Sequence, residues 1–239
     1  MRLAVERFGV YGVSHWVALG LFAVGCVALV LIGRSQRGTA EARGFGKALS
    51  LAAVLVVIAT QAYALLPEEI SLDYSLPLQL CDLAWMVSIV ALWTRRQWAY
   101  ALTYYWGLTL SVQGLITPAF AGRDYPSIEY LSFFGLHLVV VWTPVYLTWG
   151  AGMRPGWRDY RIAVLVTGAW AAAMLVFNTA LGTNYGFLNR KPLAGSLLDL
   201  LGPWPWYVVV EAIVILAGWA LITLPWITRS REPVTSSGS

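Results

Sequence analysis

The sequence predicts an all-α membrane protein, a bundle of seven transmembrane helices with the N-terminus outside and the C-terminus in the cytoplasm. Three observations predict it. Of 239 residues, 59% are hydrophobic and only 12% charged, about half the charged share of an ordinary soluble domain. Seven apolar runs, most of them close to the roughly 20 residues that cross a bilayer as a helix, fall at 15–33, 48–66, 77–94, 98–118, 130–150, 161–181 and 205–227. The cationic residues between these runs are heavily biased to one side. The runs form a single domain over 1–228, with no length left for a separate soluble one, and the polar tail 229–239 is expected to be disordered.

The loops fix the orientation. With the N-terminus outside, Arg34, Arg37, Arg43, Lys47, Arg95, Arg96, Arg154, Arg158, Arg161, Arg229 and Arg231 face the cytoplasm, 11 of the 16 basic residues. Arg2, Arg7, Arg123, Arg190 and Lys191 face outward, with Glu68, Glu69, Asp73, Asp124 and Glu129. The segment before the first run, MRLAVERFGVYGVSHW, carries acidic and polar residues and no small-residue cleavage site, so it does not read as a signal peptide. The third run is the shortest and contains an acid; without it six spans remain and the loop charges alternate badly. Between the fifth and sixth runs, MRPGWRDYR is a Pro-Gly turn with interfacial anchors. Residues 182–204 are long for a loop and partly apolar, which predicts a segment lying on the outer surface or folding back over the bundle. No inverted repeat of the transporter kind is evident.

The net charge of +4 is scattered along the loops rather than gathered in a patch, and nucleic acid is not an expected partner. Cys26 and Cys81 lie inside apolar runs and have neither a disulfide pattern nor metal-finger spacing.

Orientation converts sequence position into depth. His15, Gln61, Gln79, Cys81, Asp82, Gln113, Thr117, His137, Asn178 and Glu211 all fall in the outer halves of their spans. Polar groups inside a membrane usually face the bundle interior or a wet cavity. Their common depth predicts one outward-facing polar cavity, against the plainer reading of helix-end residues reaching for the interface.

Cys81 and His137 are the sharpest pair. A thiol next to a base is a nucleophile, and histidine is the usual base near neutral pH. Each also has an ordinary role, as a small buried hydrophobe and as an interhelical hydrogen-bonding group. Asp82 shares a helix face with Gln79 and is placed to orient His137 or His15. Glu211 ends an aromatic stripe from Trp204 and Tyr207, either closing the cavity or bonding across helices. Gln113, Asn178 and Asn184 add polar groups at that depth, and Arg190 with Lys191 suits a phosphate head group or an interfacial anchor. With two histidines in the chain, a metal site is short of firm ligands; no metal or cofactor is expected, although a metal-dependent hydrolase and a proton-coupled transporter both stay open as readings of the same cavity.

Five stretches together resemble a known family: FGVYGVSHW, SLPLQLCDLAW, GLITP, EYLSFFGLHLVVVWTPVYL, and TNYGFLNRKP followed by SLLDLLGPWPWY. The arrangement, over about 8–226, is similar to the bacterial YwaF-like integral membrane proteins, relatives of the eukaryotic transmembrane protein 164 family. The most specific parts are LPLQLCDL and TNYGFLNRKP. The resemblance implies a lipid acyltransferase or acyl hydrolase of the plasma membrane using a cysteine and a histidine. The cysteine of the LPxxLC segment falls on Cys81 and the histidine of FFGLH on His137. It further implies membrane lipids as substrate; by analogy with other acyl-transfer sites, Gln79 or backbone N–H groups are expected at the oxyanion, and the oligomeric state is not indicated.

Overall fold

The computed structural model describes residues 7–66, 71–72, 75–192 and 196–228. The tail 229–239, and Arg2, Glu68, Glu69 and Asp73 of the loop-charge argument, lie outside the described residues. Among the described residues the chain is all helix and loop, apart from an isolated bridge between Arg7 and Arg123. Seven helical rods follow one another: α1 (Val13–Ser35), α2 (Glu41–Ala64), α3 (Leu80–Thr94), α4 (97–116), α5 (Ile128–Gly150), α6 (Trp157–Leu181) and α7 (Trp206–Thr228). Five of them, α1, α2, α5, α6 and α7, are long and apolar enough to cross a membrane. The protein is a multi-pass helical membrane protein.

The remaining two rods are the central ones. At 15 residues, α3 is about 22 Å long, short of a hydrocarbon core of roughly 30 Å. It packs against α2, α4 and α5. The centre of the bundle is α4. Every residue from Ala99 to Gly107 is buried, as expected of a helix surrounded on all sides. Its Tyr and Trp side chains lower its hydropathy yet suit a protein-lined position, because each polar tip finds a partner on a neighbouring rod. The Tyr100 hydroxyl meets Thr148 Oγ1 at 3.0 Å, Tyr104 donates to the Ile222 carbonyl, Tyr105 meets Thr223 Oγ1 at 2.7 Å and Trp106 Nε1 donates to Thr167 Oγ1 at 2.8 Å. Hydrogen bonds between membrane helices contribute roughly 0.6 kcal/mol each, so the set pins α4 to α5, α6 and α7 by a few kcal/mol.

Two rods contain a widened π turn, Trp106–Ser111 in α4 and Tyr146–Gly150 in α5. Pro144 lies just before the second and leaves the Val140 carbonyl without its usual donor one turn on. The two rods meet closely here. A Cβ on Gly107 of α4 would lie 2.6 Å from the Val140 oxygen and 2.8 Å from Pro144. On the α1 side of α5, a Cβ on Gly25 of α1 would overlap the Trp142 ring, and one on Gly33 would lie 2.5 Å from the Gly150 Cα. Small residues at such crossings let backbones approach, which is how membrane helices gain packing. The carbonyls released at the end of α5 are capped by cations: Arg37 donates to the Gly150 and Trp149 oxygens, and Arg34 to Trp149.

At the opposite end the loops are tied to one another. The N-terminal segment bonds to the 117–127 loop through Phe8 N–H and the Gly122 carbonyl. Of the two arrangements predicted for 182–204, its described residues, 182–192 and 196–204, take the second and fold back over the bundle. Asn178, 1% exposed, is its anchor: the amide nitrogen donates to the Tyr185 carbonyl, and the amide oxygen accepts from Thr183 Oγ1 and the Tyr185 N–H. Tyr185 donates to the Leu72 carbonyl, Trp204 to the Leu188 carbonyl, and Tyr207 to that of Phe187.

Candidate active site

The first turn of α3, the π turn of α4 and the middle of α5 enclose a small cavity of about 50 Å³. From α3 come Leu80, Cys81 and Ala84; from α4, Trp106, Leu110 and Ser111; from α5, His137. Cys81 and His137, both partly accessible, therefore share one space.

Local sequence explains each placement. Pro77 precedes α3, and Gln79 is its N-cap in extended conformation. Asp82 accepts the Gln79 N–H at 2.9 Å, fixing the first turn. Cys81 thus sits two residues into a helix, where the first N–H groups have no carbonyl one turn back to bond. His137 is held from its own helix. Its Nδ1 lies 2.7 Å from the Phe133 carbonyl, and the imidazole packs on the Phe133 ring, centroids 4.3 Å apart. A carbonyl can only accept, so Nδ1 carries the proton and Nε2 of the neutral ring is the basic nitrogen. The Nε2 edge has room because position 114 is glycine: a Cβ there would lie 2.9 Å from Nε2 and 2.8 Å from Cδ2.

The other sequence-derived positions lie elsewhere. Asp82 does not line the cavity; its carboxylate caps α3, and the Phe133 carbonyl orients His137 in its place. His15 is fully buried. It accepts the Tyr11 N–H at Nδ1 and donates from Nε2 to the Leu115 carbonyl at 2.7 Å, closing the end of α4. Gln79 accepts the Gly186 N–H and so ties the folded-back segment to the start of α3. Asn184 brackets that segment internally, bonding Asn189 and Arg190. Lys191 lies 3.7 Å from Asp199 and over the Tyr207 ring, while Arg190 reaches the Gly182 carbonyl. Gln113 is exposed and Glu211 partly buried on α7, neither at the cavity. The wide polar cavity expected from seven helices is therefore replaced by a small three-helix cavity and a separate hydrogen-bonded loop network. Hydropathy gives depth but not rotation, and residues at one depth turned out to face different neighbours.

Two cavity residues with polar groups were not singled out from sequence, Trp106 and Ser111. The available signal was the spacing of small residues, Gly107, Ser111 and Gly114, which follow one face of α4 toward α5. Among the described residues no three His, Cys, Asp or Glu side chains gather closely enough to hold a metal ion.

The model of the TMEM164 family matches residues 10–223. The chain belongs to the TMEM164 family. No curated protein and no solved structure matches it significantly. The family match runs from the N-terminal segment into α7, so it takes in all three walls of the cavity in this TMEM164 family protein.

Proposed function

We propose that this TMEM164 family protein is a lipid acyltransferase or acyl hydrolase with seven spans, the N-terminus outside, in the plasma membrane, and that its LPLQLCDL and TNYGFLNRKP segments place it among the bacterial YwaF-like members. The observation that carries the reading is the shared cavity of Cys81 and His137, with Nδ1 of the imidazole engaged and Nε2 left as the base.

In this reaction His137 Nε2 takes the proton of the Cys81 thiol as sulfur attacks the carbonyl carbon of a fatty-acyl ester. The carbonyl becomes a tetrahedral oxyanion, which in this reading meets the N–H groups of Leu80 and Cys81 at the start of α3, those of Asp82 and Leu83 being bonded to Gln79. The ester C–O bond breaks, the lysolipid oxygen leaves with the proton from His137, and the acyl group stays on Cys81 as a thioester. A second lipid hydroxyl, or water, then gives its proton to His137 and attacks the thioester. The C–S bond breaks and the thiol is restored. The cavity is small, about 50 Å³, so in this reading the ester group alone enters it while the chains remain outside.

The test is trapping of the thioester in proteoliposomes of phosphatidylcholine with alkyne-tagged acyl chains. Hydroxylamine-sensitive labelling is expected for the wild type and lost in Cys81→Ala and His137→Ala. Labelling of Cys81→Ala at the wild-type level overturns the proposal.

A further inference from the structure

We infer that the Ser111 hydroxyl is a third working group of the cavity, donating a hydrogen bond to the acyl carbonyl oxygen as it gains charge. The inference rests on the acyl-transfer reading and adds a residue to it.

Ser111 ends the π turn of α4, is 3% exposed and lines the cavity with Cys81 and His137. Serine and threonine hydroxyls inside a helix ordinarily bond back to the carbonyl one turn earlier, and this bundle follows the habit. Ser88 donates to Ala84, Thr109 to Tyr105, Thr143 to Val139, and Thr223 to Trp219. Ser111 makes no such bond, and among the described residues its hydroxyl has no hydrogen-bond partner. Nor is the oxygen sealed in the packing like those of Ser14 and Ser132, which are buried without partners and away from the cavity. Its widened turn keeps it at the cavity wall, with Gly107 and Gly114 on either side letting α5 approach.

The other lining side chains, Leu80, Ala84 and Leu110, are apolar, and the Trp106 N–H is engaged by Thr167. With the thiol as nucleophile and the imidazole as base, the charge left to balance is on the carbonyl oxygen, and Ser111 is the one lining side chain with a free O–H to meet it. A donor of this kind acts most strongly where water is excluded.

The experiment is single-turnover acylation by the same alkyne-tagged phosphatidylcholine, comparing wild type, Ser111→Ala and Ser111→Thr, each with a thermal melting curve. Ser111→Ala is expected to slow thioester formation about 10²-fold. The lipid fraction giving half-maximal rate and the melting midpoint should stay unchanged, and Ser111→Thr should recover most of the rate. A Ser111→Ala rate within threefold of wild type overturns the inference. So does equal slowing by Ala and Thr with a lowered melting midpoint, which would make the serine a packing residue. If the wild type forms no adduct that Cys81→Ala abolishes, the acyl-transfer reading itself fails and takes this inference with it.

Discussion

Gly114→Ala tests whether the position of the His137 ring governs the chemistry. The added Cβ would lie 2.9 Å from Nε2 and 2.8 Å from Cδ2, and ordinary heavy-atom contact begins near 3.5 Å. The ring edge must therefore retreat by about 0.6 Å, or α4 and α5 must part by as much. Retreat is opposed by the Phe133 carbonyl bond at 2.7 Å, and overpacking of this sort costs about 1–3 kcal/mol. A displacement of about 1 Å at a reacting group costs on the order of 10²-fold in rate, so a loss of roughly 10- to 100-fold in single-turnover acylation is expected, with the protein still folded. Gly218→Ala is the matched control, since nothing lies within 4 Å of a Cβ there. It should acylate as the wild type does. Wild-type acylation by Gly114→Ala, or equal loss in both variants, would refute the argument that the Nε2 edge must reach the cavity undisturbed.

Two other consequences are open to measurement. Asn178→Ala removes the three hydrogen bonds that its amide makes to the Tyr185 carbonyl, the Tyr185 N–H and the Thr183 hydroxyl; at about 1 kcal/mol for each bond, a loss of roughly 2–3 kcal/mol and faster proteolysis within 182–192 are expected, and unchanged cleavage would show that the segment is held by other means. The proposed orientation predicts that a cysteine at Arg123, in a background lacking Cys26 and Cys81, reacts with an impermeant maleimide added to intact cells. One at Thr39 should react only after permeabilisation, and the reverse pattern would invert the bundle.

Much of the fold was legible because burial in lipid leaves long apolar runs, and the helices α1, α5, α6 and α7 follow those runs closely, while α2 begins seven residues before its own. The central rods are harder to read for a physical reason. A helix that faces only protein is free to carry Tyr100, Tyr104, Tyr105 and Trp106, whose polar tips are paired, so hydropathy understates it. For 182–204 mixed polarity left two arrangements open, on the outer surface or folded back, and the anchoring through Asn178 was not readable, since a hydrogen bond between residues 178 and 185 leaves no periodic trace. At the site, depth put Cys81 and His137 on one level, and both line the cavity. It failed for His15 and Asp82, whose side chains close helix ends, and for Ser111, a small residue that periodicity treats as neutral.

The π turn of α4 has a consequence for length variation among relatives. A π turn holds one more residue than an α turn over the same stretch of backbone. Deleting a single residue from 106–111 would let α4 close up as a regular helix without touching any loop. Because the turn absorbs its extra residue by turning less at each one, the helix beyond the deletion would keep its rotation about the axis. Gly114 would stay against the His137 ring and the Leu115 carbonyl on His15, and the change would be confined to the turn that carries Trp106 and Ser111. A one-residue gap at this place in an otherwise similar chain thus leaves the cysteine, the histidine and their glycine neighbour in register and alters only the α4 wall of the cavity.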